Sequence, residues 1–316
     1  MRRDAASATA RLIALSTLFL RGDPRWGHLV PPAAAEASLW FLEANETRPR
    51  LALKTVSRQW VRRIAQAAEC LTIPGILLHY AVRKRYLEEA VRMTLHEGFT
   101  QVVILGAGYD TLPLRLHQEF RQALFFEVDH PATQRAKREA LERRALPMTN
   151  LRFLPVDFTR ERLEDRLPTL RGYDPKAKTL FVAEGVLMYL RPEEVDRLFG
   201  FVREQGGATS RLVFTFMEPQ ANGKIEFRNS GRLVTLWLRL RGEPFRWGLP
   251  REQLPTFLAA RGFSLRDLAT PATFRARYLG GPLAADVPLA EGEYVCVADR
   301  AHAEASRPSE GLPQCP

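Results

Sequence analysis

The sequence predicts a doubly wound α/β fold: a mostly parallel, seven-stranded sheet with an N-terminal helical cap and a helical insertion before the last strands. Three observations carry that reading. From residue 101 onward, short apolar runs alternate with helical patterns, the rhythm of βαβ units. The runs are nearly continuous rather than alternating, as strands covered on both faces must be. The first run also ends in glycines that open directly into a helix, the usual start of a ligand-binding edge in such sheets.

In chain order, residues 1–98 read as a helical cap on the substrate side. Leu12–Leu20, between Arg11 and Arg21, has the layout of a signal peptide. However, Asp4 interrupts the basic region, and Gly22-Asp23-Pro24-Arg25-Trp26 stands where a small-residue cleavage site belongs, so an amphipathic helix is expected. Gly22–Pro32 and Pro74-Gly75 break the helices. Between them Leu53, Val56, Trp60, Ile64, Ala67, Ala68 and Leu71 recur at three-to-four spacing. A further helix runs from Ile76 to Glu97 and stops at Gly98.

Residues 99–299 read as the α/β core. Gln101–Gly106 is the first strand, followed by a helix over Thr111–Phe120. Ala123–Asp129 is the second, and Pro131 opens a helix to Ala145 at a favoured first-turn position. Leu151–Asp157 and Thr179–Gly185 are the third and fourth strands, and a helix is entered at Pro192-Glu193-Glu194. Arg211–Glu218 is the fifth. Residues 219–250 break the rhythm and predict the helical insertion. A helix over Arg251–Arg261 and strands over Phe263–Asp267 and Glu293–Asp299 complete the sheet, and residues 300–316 read as a disordered tail.

Composition narrows the function. With 46% hydrophobic and 26% charged residues the chain is globular. Its net charge of +10 is spread without a basic run, so a solvated arginine-rich surface, and no nucleic-acid partner, is expected. No apolar stretch reaches the ~18–20 residues of a membrane span. Cys70, Cys296 and Cys315 are too dispersed for a metal site or a disulfide framework, which predicts no metal and a reducing, cytoplasmic location.

The chemistry lies at strand ends. Gly106-Ala107-Gly108 lets a ligand approach the backbone closely, although tight turns alone also use glycine. Asp129, roughly twenty residues on, can accept both hydroxyls of a ribose; it can equally cap the helix opened by Pro131. Asp157 is placed for an adenine amino group, with Phe158 available to pack on the ring, and Glu184 ends the fourth strand. Together they predict a nucleoside site on one edge of the sheet. A dinucleotide fingerprint would have a third glycine where Thr111 stands, and a pyrophosphate would meet the Asp110 carboxylate. S-adenosyl-L-methionine has no phosphate and a cationic sulfonium, so an acid-lined edge suits it.

"VVILGAGYDTLPLRL", "FFEVDHPATQRAKREAL", "LPVDF" and "AEGVLMYL", in that order, resemble the leucine carboxyl methyltransferase-like group of class I S-adenosyl-L-methionine-dependent methyltransferases, which includes bacterial polyketide O-methyltransferase-like proteins. The resemblance covers roughly residues 76–200, with weaker echoes over 246–263; the first hundred residues match only faintly. It implies a Rossmann-like methyltransferase core binding S-adenosyl-L-methionine. Gly106 and Gly108 would lie against the methionine part, Asp129 would hold the ribose, Asp157 and Phe158 the adenine, and Glu184 would face the methionine amino group. "AVRKRYLEEAV" resembles the family's Arg-x-Arg segment, which suggests Arg83 for the cofactor carboxylate, with Arg85 as the alternative. A solvated helix face is the other reading of that cluster.

The function this implies is an O-methyltransferase acting on a carboxylate or hydroxyl of a small molecule or peptide by in-line displacement. A carboxylate is already ionised at neutral pH, whereas a hydroxyl needs a base or hydrogen-bond partner. Tyr189 is the candidate substrate-facing hydroxyl, and a packed helix residue is its other reading. His79, His96 and His117 fall in helical patterns and read as surface or core residues, while His130 shapes the ribose loop. The alternatives are an NAD(P)-dependent oxidoreductase and a non-catalytic, cofactor-binding regulator. Substrate identity and oligomeric state stay open.

Overall fold

The apolar runs fold as strands because both faces of the sheet are covered. The computed structural model describes residues 8–45, 59–157, 161–207, 209–228, 230, 244–280 and 285–301. Its strands are β1 (Gln101–Leu105), β2 (Leu124–Asp129), β3 (Leu151–Pro155), β4 (Thr179–Ala183), β5 (Ser210–Met217), β6 (Phe263–Ala269) and β7 (Glu293–Arg300). They form one seven-stranded sheet in the order β3-β2-β1-β4-β5-β7-β6. The pairs among β1 to β5 are parallel, and β7 runs antiparallel to both β5 and β6. The mostly parallel, seven-stranded expectation therefore holds.

The helices are α1 (Ala8–Arg21), α2 (Pro32–Asn45), α3 (Gln59–Thr72), α4 (Ile76–His96), α5 (Leu112–Glu119), α6 (Pro131–Glu142), α7 (Leu163–Arg166), α8 (Pro192–Gln205), α9 (Leu254–Ala259) and α10 (Pro271–Tyr278). Successive strand residues point to opposite faces. Val102, Ile104, Phe125 and Val182 meet α1, α2 and α4 to α6 through Leu20, Phe41, Leu87, Leu116 and Leu141. Val103, Leu105, Phe126 and Phe214 meet α8 and α9 through Val195, Phe199, Leu254 and Leu258. Helices on both faces make the sheet doubly wound, and the chain reverses direction between β1 and β4. That switch point is where open α/β sheets bind ligands.

The N-terminal segment forms the expected amphipathic helix. Ala14, Phe19 and Leu20 of α1 are buried while Leu12 is exposed. In α3 the periodic apolar face is not buried: Trp60, Ile64 and Leu71 are 56%, 59% and 79% exposed. Leu53 and Val56 lie outside the described residues. The segment over 251–261 starts as a 3-10 turn, Arg251–Gln253, before α9. Helix α10 lies outside the elements expected from the sequence; Thr270 accepts from the Thr273 N–H and Pro271 opens its first turn. Within the expected helical insertion, residues 219–228 and 244–250 form turns and extended chain, and 231–243 lie outside the described residues. So do 302–316, most of the predicted tail.

Candidate nucleoside site at the carboxyl edge

Four neighbouring strands, β3-β2-β1-β4, bring their carboxyl ends together. At ~4.8 Å per strand this edge is about 14 Å wide. After β1 the chain turns sharply. The Gly106 N–H donates to the Val128 carbonyl at 2.8 Å, and its φ is +66°. A Cβ there would lie 2.7 Å from Val186 Cγ2, so only glycine fits. Gly108, with φ +50°, donates its N–H to Asp129 Oδ2. Ala10 of α1 stands over this turn, its Cβ 3.4 Å from where a Gly108 Cβ would be.

Asp129 ends β2. Its Oδ1 accepts from the His130 N–H at 2.6 Å, its Oδ2 from Gly108. Helix α6 is capped by His130, whose Nδ1 accepts from the Ala132 N–H at 3.3 Å, and not by Asp129. Each Asp129 oxygen therefore keeps a lone pair for an outside donor. Burial raises its pKa above the ordinary carboxylate value, with the two backbone N–H groups opposing. The Val156 N–H donates to the Asp129 carbonyl at 2.9 Å, which sets Asp157 beside this edge. Phe158 lies outside the described residues.

Glu184 follows β4 and is held by two cations. Its Oε1 accepts from Arg83 Nε at 2.9 Å and Nη2 at 2.7 Å, its Oε2 from Lys84 Nζ at 3.0 Å. Lys84 Nζ also reaches Asp110 Oδ1 at 3.2 Å. Burial raises the Asp110 pKa, but Lys84 and Lys137 outweigh it and hold this carboxyl below its ordinary value. Of the two arginine candidates, Arg83 is buried and is the one that pairs with Glu184 at this edge. Arg85 is exposed and pairs with Glu89 at 3.0 Å, so the solvated-face reading applies to it.

Several members escaped sequence reasoning. Glu293, the first residue of β7, pairs in register with Met217 at the end of β5 and is fully buried. It accepts from Arg83 Nη1 at 2.7 and 2.9 Å and from His79 Nε2 at 2.8 Å. Lys137, 1% exposed, donates to the Asp110 carbonyl and to Glu127 Oε2, both at 2.6 Å, and lies 5.3 Å from the Phe41 ring centre. Lys84 directly follows Arg83 in the sequence, and that adjacency is its one available signal. Glu293 carried no local signal.

Tyr189 closes the 3-10 turn Leu187–Tyr189 after β4 and lies 5.5 Å from Phe245, ring centre to ring centre. It joins an apolar cluster with Ile73, Ile76, Met188, Phe227 and Tyr80. His117 is buried against Asn150, and His96 is exposed. An open cleft adjoins the edge, with Ile13, Leu29, Leu77, Tyr80 and Lys84 in its walls.

The set has the chemistry of a nucleoside site with a cationic tail. Arg83 and Lys84 are ion-paired, and two cations face three carboxylates, Asp110, Glu184 and Glu293. That excess of one negative charge is hostile to a pyrophosphate and complementary to a sulfonium.

A family model described as leucine carboxyl methyltransferase matches residues 24–203, reaching further towards the N-terminus than the motifs did. A Mycobacteroides abscessus protein named "Putative S-adenosyl-L-methionine-dependent methyltransferase" is 32% identical over 217 residues, 65% of this chain and 66% of that one. A Bacillus subtilis protein with a name of the same form is 30% identical over 191 residues, 60% and 62% of the two chains. This chain thus spans about half to two thirds of the length of the curated relatives it matches. A Thermobifida fusca crystal structure, described with the same qualifier as a methyltransferase, shares the fold with a TM-score of 0.52 and 16% identity over 84% of this chain and 94% of that one.

Proposed function

The chain belongs to the leucine carboxyl methyltransferase family, whose model matches residues 24–203 of 316, and from that premise we propose that it is an S-adenosyl-L-methionine-dependent O-methyltransferase. Its acceptor is a carboxylate or hydroxyl of a small molecule or peptide. The observation that carries this reading is the acid-lined edge itself, with Asp129 held by two backbone N–H groups and still open to two donors. Asp129 would hold the ribose, Asp157 the adenine, Arg83 the amino-acid carboxylate, and Gly106 to Gly108 the backbone surface beneath the tail.

When bound, S-adenosyl-L-methionine supplies an activated methyl group on a cationic sulfur. The chain's own contribution is to hold an acceptor oxygen ~3 Å from that carbon and in line with the bond that breaks. Glu184 and Asp110 favour the cationic end of the donor. A carboxylate acceptor needs no base, and a hydroxyl acceptor would use Tyr189 as a hydrogen-bond partner. The cleft beside Tyr80 and Lys84 has a largely apolar lining, which supports a small acceptor. The exposed free thiol of Cys70 fits a reducing, cytoplasmic setting.

Calorimetric titration with S-adenosylmethionine, S-adenosylhomocysteine and NAD tests the reading. Binding of the first two without NAD is the expected result. Binding of NAD alone would replace this proposal with an oxidoreductase. Methyl transfer to any member of a panel of carboxylic acids and phenols then separates an enzyme from a cofactor-binding regulator.

A further inference from the structure

Arg83 is gripped from two sides. Glu184 takes Nε and Nη2, Glu293 takes Nη1, and the ring of Tyr80 lies 4.9 Å from the guanidinium carbon. One N–H of Nη2 is left over from this grip, since a guanidinium has five. Glu293 is itself fixed by His79, whose ring is wedged edge-on between Phe227 and Phe274 at 5.9 Å from each. Nε2 of His79 serves Glu293, and its Nδ1 is buried with no hydrogen-bond partner among the described residues. The imidazole thus spends its polarity on one carboxylate.

Glu293 reaches this place because β7 is antiparallel. The parallel strands bring their ends to the site edge, whereas β7 brings its beginning. Glu293 also lies outside residues 24–203, the span that the family model matches.

We propose that Glu293, braced by His79, is a positioning residue that orients Arg83 towards the amino-acid carboxylate of the bound ligand. The inference rests on the function proposed above. Burial raises the Glu293 pKa, but Arg83 and His79 outweigh it and hold the carboxyl at about 2, so this anchor stays charged at any working pH.

The test uses two ligands that share the nucleoside and differ in the tail. S-adenosylhomocysteine has the amino-acid end, and 5′-methylthioadenosine lacks it. Their affinities are measured by calorimetry on the full chain for wild type, Glu293→Gln, Arg83→Met and the double variant. The expected result is that Glu293→Gln weakens S-adenosylhomocysteine about tenfold or more and changes methylthioadenosine less than twofold. In the double variant, Glu293→Gln adds no further loss to that of Arg83→Met, because it acts through Arg83. Should Glu293→Gln fail to fold, His79→Asn is read with the same two ligands and is expected to show the same selective loss.

Equal losses for both ligands would assign Glu293 a structural role only and overturn the proposal, as would no loss for either. A wild-type protein that binds neither ligand would instead refute the proposed function, so the two failures are distinguishable.

Discussion

Asp129→Ala removes the acceptor on which the nucleoside assignment turns. In the folded chain its oxygens already accept from the Gly108 and His130 N–H groups, and each has one lone pair left for a ribose hydroxyl. A hydrogen bond to a charged acceptor contributes about 1.5–3 kcal/mol. Two such bonds are lost, but water entering the alanine cavity restores part of them, so a net loss near the value of one bond is expected. At ~1.4 kcal/mol per decade that is on the order of 10–100-fold in affinity. The ribose is common to S-adenosylmethionine and S-adenosylhomocysteine, so both must weaken alike, and calorimetry on the two ligands reads this directly. The substitution also orphans two backbone donors, so urea unfolding is run alongside to confirm that binding is measured on folded protein. An Asp129→Ala protein that is folded and binds both ligands like wild type would refute the ribose assignment and most of the site with it.

The remaining predictions concern stability and turnover. Burial pushes the Glu127 carboxyl up to about 7 against the pull of Lys137. The folded chain therefore binds a proton there that the unfolded chain has already lost, and stability should fall by on the order of 3 kcal/mol as pH rises from about 4.5 through 7. Urea midpoints at pH 5 and 8 should show that fall in wild type and a flatter profile in Glu127→Gln; parallel profiles would count against it. Glu293, held at about 2, has the opposite sign, contributing stability above about pH 4.5 that is lost on further acidification. Gly106→Ala should destabilise by at least ~1–2 kcal/mol through its positive φ, and adding Val186→Ala should recover only the steric part. With a hydroxyl acceptor, Tyr189→Phe should lower kcat about tenfold or more with S-adenosylhomocysteine affinity unchanged; an unaltered kcat on such an acceptor would remove Tyr189 from the chemistry.

What the sequence disclosed depended on how local each feature is. Parallel strands buried on both faces leave continuous apolar runs, so β1 to β5 could be read within a residue or two at most ends. Gly106, Gly108, Asp129, Asp157 and Glu184 were legible because each sits at the end of such a run. The charge node was not legible, because its partners are distant in the chain and its geometry follows from the antiparallel insertion of β7 between β5 and β6. Glu293 looked like the first residue of a closing strand. Lys137 stands among charged residues of α6, and the packing of α2 against that helix, with the Phe41 ring 5.3 Å from its ammonium, buries it. In α3 the error ran the other way: apolar spacing implied burial, and Trp60, Ile64 and Leu71 face solvent.

The placement of Glu293 also bears on the order in which the molecule is made. Arg83 meets Glu184 once 101 further residues have been synthesised, but Glu293 is 210 residues away. At about 5–20 residues per second, that second carboxylate follows the arginine by roughly 10–40 s. Until then the growing chain holds only half of the guanidinium's counter-charge, and the tail end of the nucleoside site cannot be finished. Chains that stop before residue 293 keep every motif by which the family is recognised and still lack one wall of the node. If Glu293 positions Arg83 as proposed, tight binding of a ligand that carries the amino-acid tail requires chains translated through β7.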